Sequence, residues 1–482
     1  MRYDLIVLGS GPAGEKGAAQ AAYFGKRVAL VEREAVPGGA CVNTGTVPSK
    51  TLRESALHLS GFRQRGFRDA VGLTIKSDIS VSDFLYRKDI VVEREWERID
   101  ANLARHKVDR FSGTGRFVSP HRIEVFNSTG TMAIEGEIIL IATGSAPHRP
   151  ADVPFDDETV CDSDTILLMK QIPRTLAVIG AGVIGCEYAA MFAALGVEVH
   201  LVDGRTSLLP HMDREIVRVL LEEMQHRLGV TMHLGADVET IEPADKGLLL
   251  RLKNGSTLEI DKVLYAAGRS SNTADLNLAA AGVETGKRGL ITVNEKYQTT
   301  TPNIYAAGDV IGFPALASTS MEQARVAMVH AFDLKYKTKV DTTLPYGIYT
   351  IPELSTIGLT EEQCLEKGID FECGRAYFRA NARGQIVGDT NGMIKIVFDA
   401  ADLKLLGVHI VGENASELLH IGMMVMQFGG TINAFIESVF NFPTLSECYK
   451  YAAYDGLGNV ARRADELIKR QRSASGPAAN PP

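Results

Sequence analysis

The sequence lacks the long apolar segments and basic blocks that would direct a protein to a membrane or to nucleic acid. No apolar run approaches the roughly 18 residues needed to span a bilayer. The 482 residues include 51 Lys and Arg against 59 Asp and Glu, a net charge of −8. This balance argues against an anionic membrane or a nucleic-acid backbone as partner. The first apolar run leads into glycines rather than into a signal-peptide cleavage site, so we expect a cytoplasmic protein.

Paired cysteines are missing as well. The six cysteines are scattered, without a CxxC motif or a metal-like pairing with histidine, so neither a disulfide framework nor a metal site is predicted. Only Cys41 lies among residues that suggest chemistry, in the segment GGACVNTGTVPSK (38–50). Thr46 stands five positions after it. A hydroxyl cannot form a disulfide, so no dithiol relay can run through this pair. The others are interpreted as small buried apolar residues: Cys161, Cys186, Cys364, Cys373 and Cys448.

Glycine, in contrast, recurs in two copies of one pattern. Each copy runs from a strand through a glycine turn and an Ala-rich helix to a second strand that ends in a carboxylate. The second copy follows the first at a constant offset of 171 residues. The matching positions are Gly9, Gly11, Gly14, Gly25 and Glu32 in the first copy and Gly180, Gly182, Gly185, Gly196 and Asp203 in the second.

This pattern is typical of a dinucleotide-binding turn. The first glycine permits the tight turn, the second lets a pyrophosphate approach the backbone, and the third allows close packing of helix on strand. The helix N-terminus offers free N–H groups to the phosphates, and the carboxylate holds a ribose hydroxyl. Two copies predict two dinucleotides on one chain, with electrons passing between them.

The rest of the chain predicts an α/β protein with two Rossmann-like dinucleotide-binding domains and a C-terminal α+β domain. EIILIATG (137–144) and TPNIYAAGDV (301–310) are predicted as strands that end at the ligand-binding edge of a parallel sheet. The predicted domains are 1–150 for FAD (with a helical insert at 51–110), 151–272 for NAD(P), 273–343 returning to the FAD domain, 344–465 for dimerisation, and a disordered tail at 466–482.

These motifs together resemble the flavin-dependent pyridine nucleotide disulfide oxidoreductases over about residues 1 to 465. The resemblance implies FAD in the first repeat, a nicotinamide dinucleotide in the second, and a homodimer. The implied FAD residues are Gly9, Gly11, Pro12, Ala13, Gly14, Glu32, Arg33, Gly39, Cys41, Lys50, Thr143, Gly144, Arg269, Gly308 and Asp309. The implied NAD(P) residues are Gly180, Gly182, Val183, Ile184, Gly185, Glu187, Asp203, Arg205 and Gly268.

Two departures from the family pattern concern the thiol chemistry. The family's second cysteine is replaced by Thr46, and the histidine of its His-Pro-Thr-x-x-Glu motif is replaced by Phe442. Phenylalanine cannot exchange a proton, so the thiol partner and its base are missing together. This combination is similar to the soluble pyridine nucleotide transhydrogenase branch, which moves hydride between NADPH and NAD⁺ through FAD. Glu447 keeps its family position without a histidine to orient.

The resemblance also implies roles for the candidate catalytic residues Lys50, Glu187, Cys41 and Glu447. Lys50 would lie by flavin N5, pair with Glu187 and stabilise negative charge on the reduced flavin. Cys41 would pack near the flavin without a partner, and Glu447 would act across the dimer. In the second site, Asp203 favours the ribose hydroxyls of NAD, whereas Arg205 could pair with the 2′-phosphate of NADP.

Three functions stay open from the sequence. The first is NADPH:NAD⁺ transhydrogenation. The second is reduction of a quinone or another non-thiol acceptor, with which the missing thiol pair is equally compatible. The third is a catalytically silent nucleotide-binding redox sensor, against which the intact glycine turns, Lys50 and Glu187 argue.

Overall fold

The computed structural model describes residues 1–64 and 79–474. Within these ranges, no helix has both the length and the apolar character that crossing a bilayer requires. The strands are β1 (Arg2–Leu8), β2 (Val28–Glu32), β3 (Asp109–Ser112), β4 (Thr114–Ser119), β5 (Arg122–Asn127), β6 (Gly130–Ile141), β7 (Ser145–Pro147), β8 (Val160–Asp162), β9 (Thr175–Ile179), β10 (Glu198–Asp203), β11 (Thr231–Leu234), β12 (Val238–Pro243), β13 (Leu248–Leu252), β14 (Thr257–Ile260), β15 (Lys262–Tyr265), β16 (Arg269–Ser271), β17 (Ile304–Ala306), β18 (Tyr346–Ile348), β19 (Leu354–Gly358), β20 (Phe371–Tyr377), β21 (Met393–Asp399) and β22 (Leu405–Val411).

The helices alternate with these strands. They are α1 (Pro12–Tyr23), α2 (Gly39–Asn43), α3 (Thr46–Gln64), α4 (Val81–Arg105), α5 (Val183–Ala194), α6 (Arg214–Glu222), α7 (Ala317–Ala331), α8 (Glu361–Glu366), α9 (Ala382–Val387), α10 (Ala415–Gln427), α11 (Asn433–Glu437) and α12 (Cys448–Ala474). A π-helical turn at Glu223–Arg227 continues α6, and 3₁₀ turns lie at Thr165–Leu168, Ala274–Leu276, Leu278–Ala281, Lys287–Gly289, Asp309–Ile311, Phe378–Ala380 and Leu445–Glu447.

The described residues divide into two compact units. The first comprises Met1–Ala56, 79–180 and Asp237–Thr342, and the second comprises 57–64, 181–236 and 343–474. The second glycine repeat is therefore shared between them. β9 and Gly180 belong to the first unit, and Ala181, α5 and β10 to the second.

A mixed sheet in the order β3-β2-β1-β6-β5-β4, with β17 beside β6, forms the centre of the first unit. β1 pairs in parallel with β2 and β6, and its run Leu5, Ile6 and Val7 is fully buried. An uninterrupted apolar strand of this kind is typical of a sheet covered on both faces. Leu8, Glu32, Ile141 and Ala306 end neighbouring parallel strands, so the turns that follow them meet at one edge.

Smaller sheets complete the first unit. β15 pairs in parallel with both β8 and β9. An antiparallel sheet is formed by β12, β13 and β14, and β7 pairs with β16. The predicted helical insert is present as the end of α3 and as α4, which starts at the N-cap Ser80. Val92, Ile99 and Leu103 of α4 are buried, as their helical spacing predicts. The part of the insert at 65–78 lies outside the described residues.

The second unit contains an antiparallel sheet in the order β18-β19-β22-β21-β20, against which α10 and α12 pack. Phe398, Val408 and Tyr449 are fully buried in its core. In this unit β10 also pairs in parallel with β11. The predicted α+β character of the C-terminal region is confirmed.

The C-terminal boundary needs one correction. Disorder was predicted from residue 466, but α12 continues to Ala474, so 466–474 are helical. The segment ELIKRQR (466–472) consists largely of strong helix formers, which favour continuation of a helix that has already begun. The remaining residues of the predicted tail, 475–482, lie outside the described residues.

Candidate functional site

The first glycine turn has the geometry that a dinucleotide requires. Gly9 has a φ of +99°, and a Cβ there would lie 2.5 Å from the carbonyl oxygen of Ala142. A Cβ on Gly14 would lie 1.9 Å from the carbonyl oxygen of Gly9, so strand and helix could not pack as they do. Gly11 is the N-cap of α1 and Pro12 its first residue, a position where proline costs no helical hydrogen bond. Larger side chains are therefore excluded at Gly9 and Gly14.

Glu32 lies beside this turn at the end of β2. Its carboxylate accepts hydrogen bonds from the Ser10 backbone N–H at 2.8 Å, from Ser10 Oγ at 2.6 Å and from the Glu34 N–H at 2.9 Å. These bonds hold the carboxylate where the fold expects a ribose-binding acid. The neighbouring Arg33 is half-exposed and donates to Glu34 at 3.1 Å.

The Cys41 loop, residues 37–43, packs against the first glycine turn. Gly39 has a φ of +55°, and a Cβ there would lie 3.0 Å from Cα of Gly11. Cys41 lies in α2 as a half-buried free thiol, and Thr46 begins α3. Burial raises the pKa of Cys41, although a hydrogen bond with Thr46 acts in the opposite direction. A raised pKa disfavours the thiolate, which is the reactive form of cysteine. The other five cysteines are buried, as predicted.

A polar cluster gathers at the ends of β6 and β17. Ser145 Oγ donates to Asp309 Oδ2 at 2.8 Å, and Arg269 donates to Oγ of Ser145 at 2.8 Å and to its backbone carbonyl at 2.7 Å. The Gly308 N–H donates to Gln323 Oε1 at 2.9 Å, while a Cβ on Gly308 would contact Ala13 at 3.4 Å. The predicted residues Asp309, Gly308 and Arg269 are thus brought together.

Residues that sequence reasoning missed complete this cluster. Ser145 follows the predicted turn at Thr143 and Gly144 directly, and its position next to that motif was the available signal. Asp164 carried no sequence signal. Burial raises the pKa of Asp164, while the charge of Arg269 and a hydrogen bond from Thr44 act to lower it.

These residues fit FAD. Gly11 has free space on its exposed face, with Gly39 Cα as the nearest neighbour of an added Cβ at 3.9 Å, so a pyrophosphate can approach the N-terminus of α1. Thr143 Oγ1 is buried and has no hydrogen-bond partner among the described residues. A buried hydroxyl without a partner is costly, and a bound ligand would satisfy it. No group of three or more His, Cys, Asp or Glu side chains in the same residues is arranged to hold a metal ion.

The second glycine turn repeats this geometry. Gly180 and Gly268 have φ values of +109° and +110°, and a Cβ on Gly180 would lie 2.9 Å from the carbonyl oxygen of Ala266. Gly182 is the N-cap of α5, and a Cβ there would meet no atom within 4 Å. The open space beside Gly182 is where a second pyrophosphate would approach. Val183, Ile184 and Gly185 form the first turn of α5.

Asp203 and Arg205 form a forked ion pair at the end of β10. The two oxygens of Asp203 accept from Arg205 Nε at 2.9 Å and from its terminal nitrogen at 2.7 Å. The same carboxylate accepts from the backbone N–H groups of Ala181 at 2.6 Å and Arg205 at 2.8 Å. Burial acts to raise the pKa of Asp203, but these hydrogen bonds hold it below its ordinary value. The guanidinium is thus already beside the predicted ribose-binding acid.

The remaining candidates are spread over both units. Lys50 lies in α3 of the first unit, and Glu187 is buried in α5 of the second, where it accepts from the Tyr349 N–H at 2.8 Å. Their pairing stays a prediction. Glu447 is within 3.3 Å of the Tyr451 hydroxyl, and the Phe442 side chain is 73% exposed.

Comparison with known proteins gives full-length similarities. A family model described as pyridine nucleotide-disulphide oxidoreductase matches residues 3–331, and the dimerisation domain of that family matches 344–453. A protein of Mycobacterium bovis named soluble pyridine nucleotide transhydrogenase is 46% identical over 95% of this chain and 98% of its own length. A Pseudomonas putida protein of the same name is 42% identical over 95% and 99%.

Solved structures of similar fold cover nearly all of the chain. LpdA from Mycobacterium tuberculosis is 27% identical, with a TM-score of 0.86 over 94% of this chain and 99% of its own. The HOCl-induced flavoprotein disulfide reductase RclA from Escherichia coli is 30% identical, with a TM-score of 0.85 over 94% and 99%. The predicted fold class, two Rossmann-like domains with a C-terminal dimerisation domain, is confirmed.

Proposed function

Because this chain belongs to the pyridine nucleotide-disulphide oxidoreductase family, we propose that it transfers hydride between NADPH and NAD⁺ through FAD, without a redox-active disulfide. Relatives in two genera that match 95% of this chain are named soluble pyridine nucleotide transhydrogenase. The enzyme is an FAD-dependent oxidoreductase with nicotinamide dinucleotides as substrates. We propose further that it is soluble, as those relatives are named, and located in the cytoplasm.

One observation carries the absence of thiol chemistry. Thr46 stands where the family's second cysteine would be, Cys41 is a free thiol, and the other five cysteines are buried. At the C-terminal motif Phe442 offers no group that could exchange a proton with a thiol. The electrons therefore have no disulfide route, and the names of the relatives favour a second nicotinamide as the acceptor.

The chain's own residues bind and orient the reactants. Bound FAD would supply the hydride-accepting and hydride-donating chemistry. The amides at the N-terminus of α1 and the carboxylates of Glu32 and Asp309 would hold its phosphates and ribose hydroxyls. The N-terminus of α5 would bind the pyrophosphate of the nicotinamide dinucleotide, and Asp203 and Arg205 its adenosine ribose.

Further roles belong to the same proposal. Lys50, paired with Glu187, would stabilise negative charge at the flavin, and Glu447 would contribute from the second subunit of the homodimer. Cys41 would contribute packing or tune the flavin. The domains would be 1–150 with 273–343 for FAD, 151–272 for NAD(P) and 344–465 for dimerisation.

The test is a direct hydride-transfer assay. Purified holoenzyme is mixed with NADPH and thio-NAD⁺, and formation of the reduced analogue is followed by absorbance. We expect continuous turnover, together with no reduction of lipoamide or glutathione disulfide. Flavin bleaching without reduction of the analogue would instead favour the quinone-type reductase, and the absence of bleaching would favour the silent sensor.

A glycine variant sharpens this assay. Gly182→Ala places a methyl group in the open space beside the N-terminus of α5 without meeting any protein atom within 4 Å. We expect unchanged FAD content and at least a tenfold rise in KM for both nicotinamide dinucleotides, about the loss of one charge-assisted hydrogen bond. The matched control is Gly286→Ala, whose Cβ makes only an ordinary contact at 3.9 Å and which should leave both KM values unchanged.

A further inference from the structure

The side chain of Asn43 links the Cys41 loop to helix α4. Trp96, the sole tryptophan of the chain, donates from Nε1 to Asn43 Oδ1 at 2.7 Å. Asn43 Nδ2 donates to the backbone carbonyls of Pro37 and Gly39, both at 3.0 Å. An indole N–H can only donate, so it fixes the amide oxygen towards α4 and both amide protons towards the loop. Asn43 therefore holds residues 37–43 in one conformation and anchors them to α4.

This loop segment lies directly against the first glycine turn. The Gly38 N–H donates to Ser10 Oγ at 3.1 Å, and the same hydroxyl donates to Glu32 at 2.6 Å. On the other side, a Cβ on Gly38 would lie 3.1 Å from Ile99 of α4. With Gly39 packed on Gly11, the segment fills the space between α4 and the turn. Its conformation therefore bears on the turn that would receive the FAD pyrophosphate.

We propose that Asn43 and Trp96 are positioning residues for FAD. Trp96 acts through Asn43, and Asn43 holds residues 37–43 against the turn formed by Gly9, Gly11 and Gly14. Loss of either side chain loosens the segment and speeds the release of FAD. The proposal rests on the FAD site of the proposed function and is independent of the hydride acceptor.

The test is a double-mutant cycle on the holoenzyme with Trp96→Phe, Asn43→Ala and the double variant. FAD release is followed by the rise in flavin fluorescence after dilution. We expect each single variant to release FAD up to about tenfold faster, the scale of one lost hydrogen bond. The double variant should be no faster than Asn43→Ala alone, because Trp96 acts through Asn43. Asn43→Asp, which keeps the acceptor for Trp96, should have an intermediate effect.

The matched control is Asp100→Asn on the same helix, which removes the surface ion pair with Arg110 and no contact with the loop. A second readout is the alkylation rate of Cys41, the one cysteine of the chain that is not buried. Both readouts should change in Trp96→Phe and Asn43→Ala and stay at the wild-type value in Asp100→Asn.

Unchanged FAD release in both single variants would overturn the proposal, as would independent effects that multiply in the double variant. An equal effect of Asp100→Asn would also overturn it, by showing a general loosening of α4. If wild-type enzyme fails to reduce thio-NAD⁺ while FAD release follows the cycle, the proposed acceptor is wrong and the positioning role stands.

Discussion

At the scale of single residues, we propose that the ion pair between Asp203 and Arg205 governs how NAD and NADP compete. Each oxygen of Asp203 already accepts a hydrogen bond from the Arg205 side chain. A 2′-phosphate would have to draw the guanidinium away from this carboxylate, whereas the hydroxyls of NAD need only the carboxylate. On this proposal, the pair offers one group for each dinucleotide within a single loop.

Arg205→Ala should weaken the binding of NADPH far more than that of NADH. The variant loses the phosphate partner and also leaves Asp203 with less compensation for its negative charge, which then repels the phosphate. We expect at least a tenfold rise in KM for NADPH, the scale of a charge-assisted hydrogen bond, with little change for NADH. Steady-state kinetics with NADPH and with NADH as hydride donor measures the two KM values. An equal rise in both would contradict the use of one site for both dinucleotides. Arg227→Ala, which removes an ion pair with Glu223, is the control.

Thr46→Cys should restore a thiol pair without restoring thiol catalysis. Thr46 begins α3 five residues after Cys41, which is the spacing of the family's cysteine pair, so we expect a cysteine there to form a disulfide. Phe442 still provides no base, so reduction of small disulfides should stay absent. Thiol titration of the native protein should give one reactive group in wild type, two in the reduced variant and none after oxidation. Lipoamide reduction at a rate near that of transhydrogenation would contradict this.

At the scale of elements, a buried charge cluster joins α6, α8 and the C-terminal sheet within the second unit. Lys395 of β21 is 1% exposed and contacts Asp213 at 2.9 Å, Glu215 at 3.0 Å and Glu361 at 2.7 Å. Arg375 of β20 pairs with Glu215 at 2.8 Å. Burial would lower the pKa of Lys395, but the carboxylates raise it. The cluster anchors the start of α6, just beyond the loop that carries Arg205.

Lys395→Met should destabilise this unit strongly. Removal of the buried cation takes the ion-pair partner from Asp213 and leaves Glu215 and Glu361 to share Arg375, at a cost of about 3–5 kcal/mol. Thermal unfolding at neutral pH should show this loss of stability as a clear drop in Tm. The control Lys253→Met, which removes an exposed ion pair, should leave Tm nearly unchanged. A drop no larger than that of the control would contradict the cluster's role.

The same cluster makes the thermal stability of the protein depend on pH. Burial acts to raise the pKa of Glu215, but Arg375 and Lys395 hold it below its ordinary value. A lowered folded-state pKa contributes stability that is fully present above the unfolded value near 4.5 and is lost as the pH falls towards the folded value. The Tm difference between wild type and Glu215→Gln should therefore shrink as the pH is lowered below about 4.5.

At the scale of the whole molecule, the protein is a homodimer through its dimerisation domain. Phe428, Val439 and Phe442 lie in that domain and are 82%, 95% and 73% exposed in the single chain. We propose that the partner subunit covers these exposed apolar side chains. Phe442, which replaces the family's histidine, is thus presented outward, where the partner subunit can receive it.

Val439→Glu should weaken the dimer, because burying an unpaired carboxylate in an apolar interface is costly. We expect sedimentation velocity to show monomer at concentrations where wild type is dimeric, together with loss of hydride transfer. Leu168→Glu, at a residue that is 74% exposed in the first unit, is the control and should stay dimeric. An unchanged dimer in the Val439 variant would place the interface elsewhere.

The sequence by itself determined the two glycine turns, the strands around them, and the loss of the thiol pair. These features are encoded in contiguous residues, because a positive φ at Gly9 or Gly180 and a carboxylate at the strand end follow from local chain geometry. The start of the disordered tail was predicted too early, at residue 466, because the helix formers at 466–472 were grouped with the Pro-rich segment that follows them.

The tertiary structure alone decided which distant side chains meet. Asp309 lies 164 residues from its donor Ser145, Asn43 lies 53 residues from Trp96, and Asp213 lies 182 residues from Lys395. No local periodicity encodes such pairs, since their partners are selected by packing at strand ends and helix faces. Even Arg205, two residues after Asp203 in sequence, could have faced solvent, and only the folded loop directs its guanidinium onto the carboxylate.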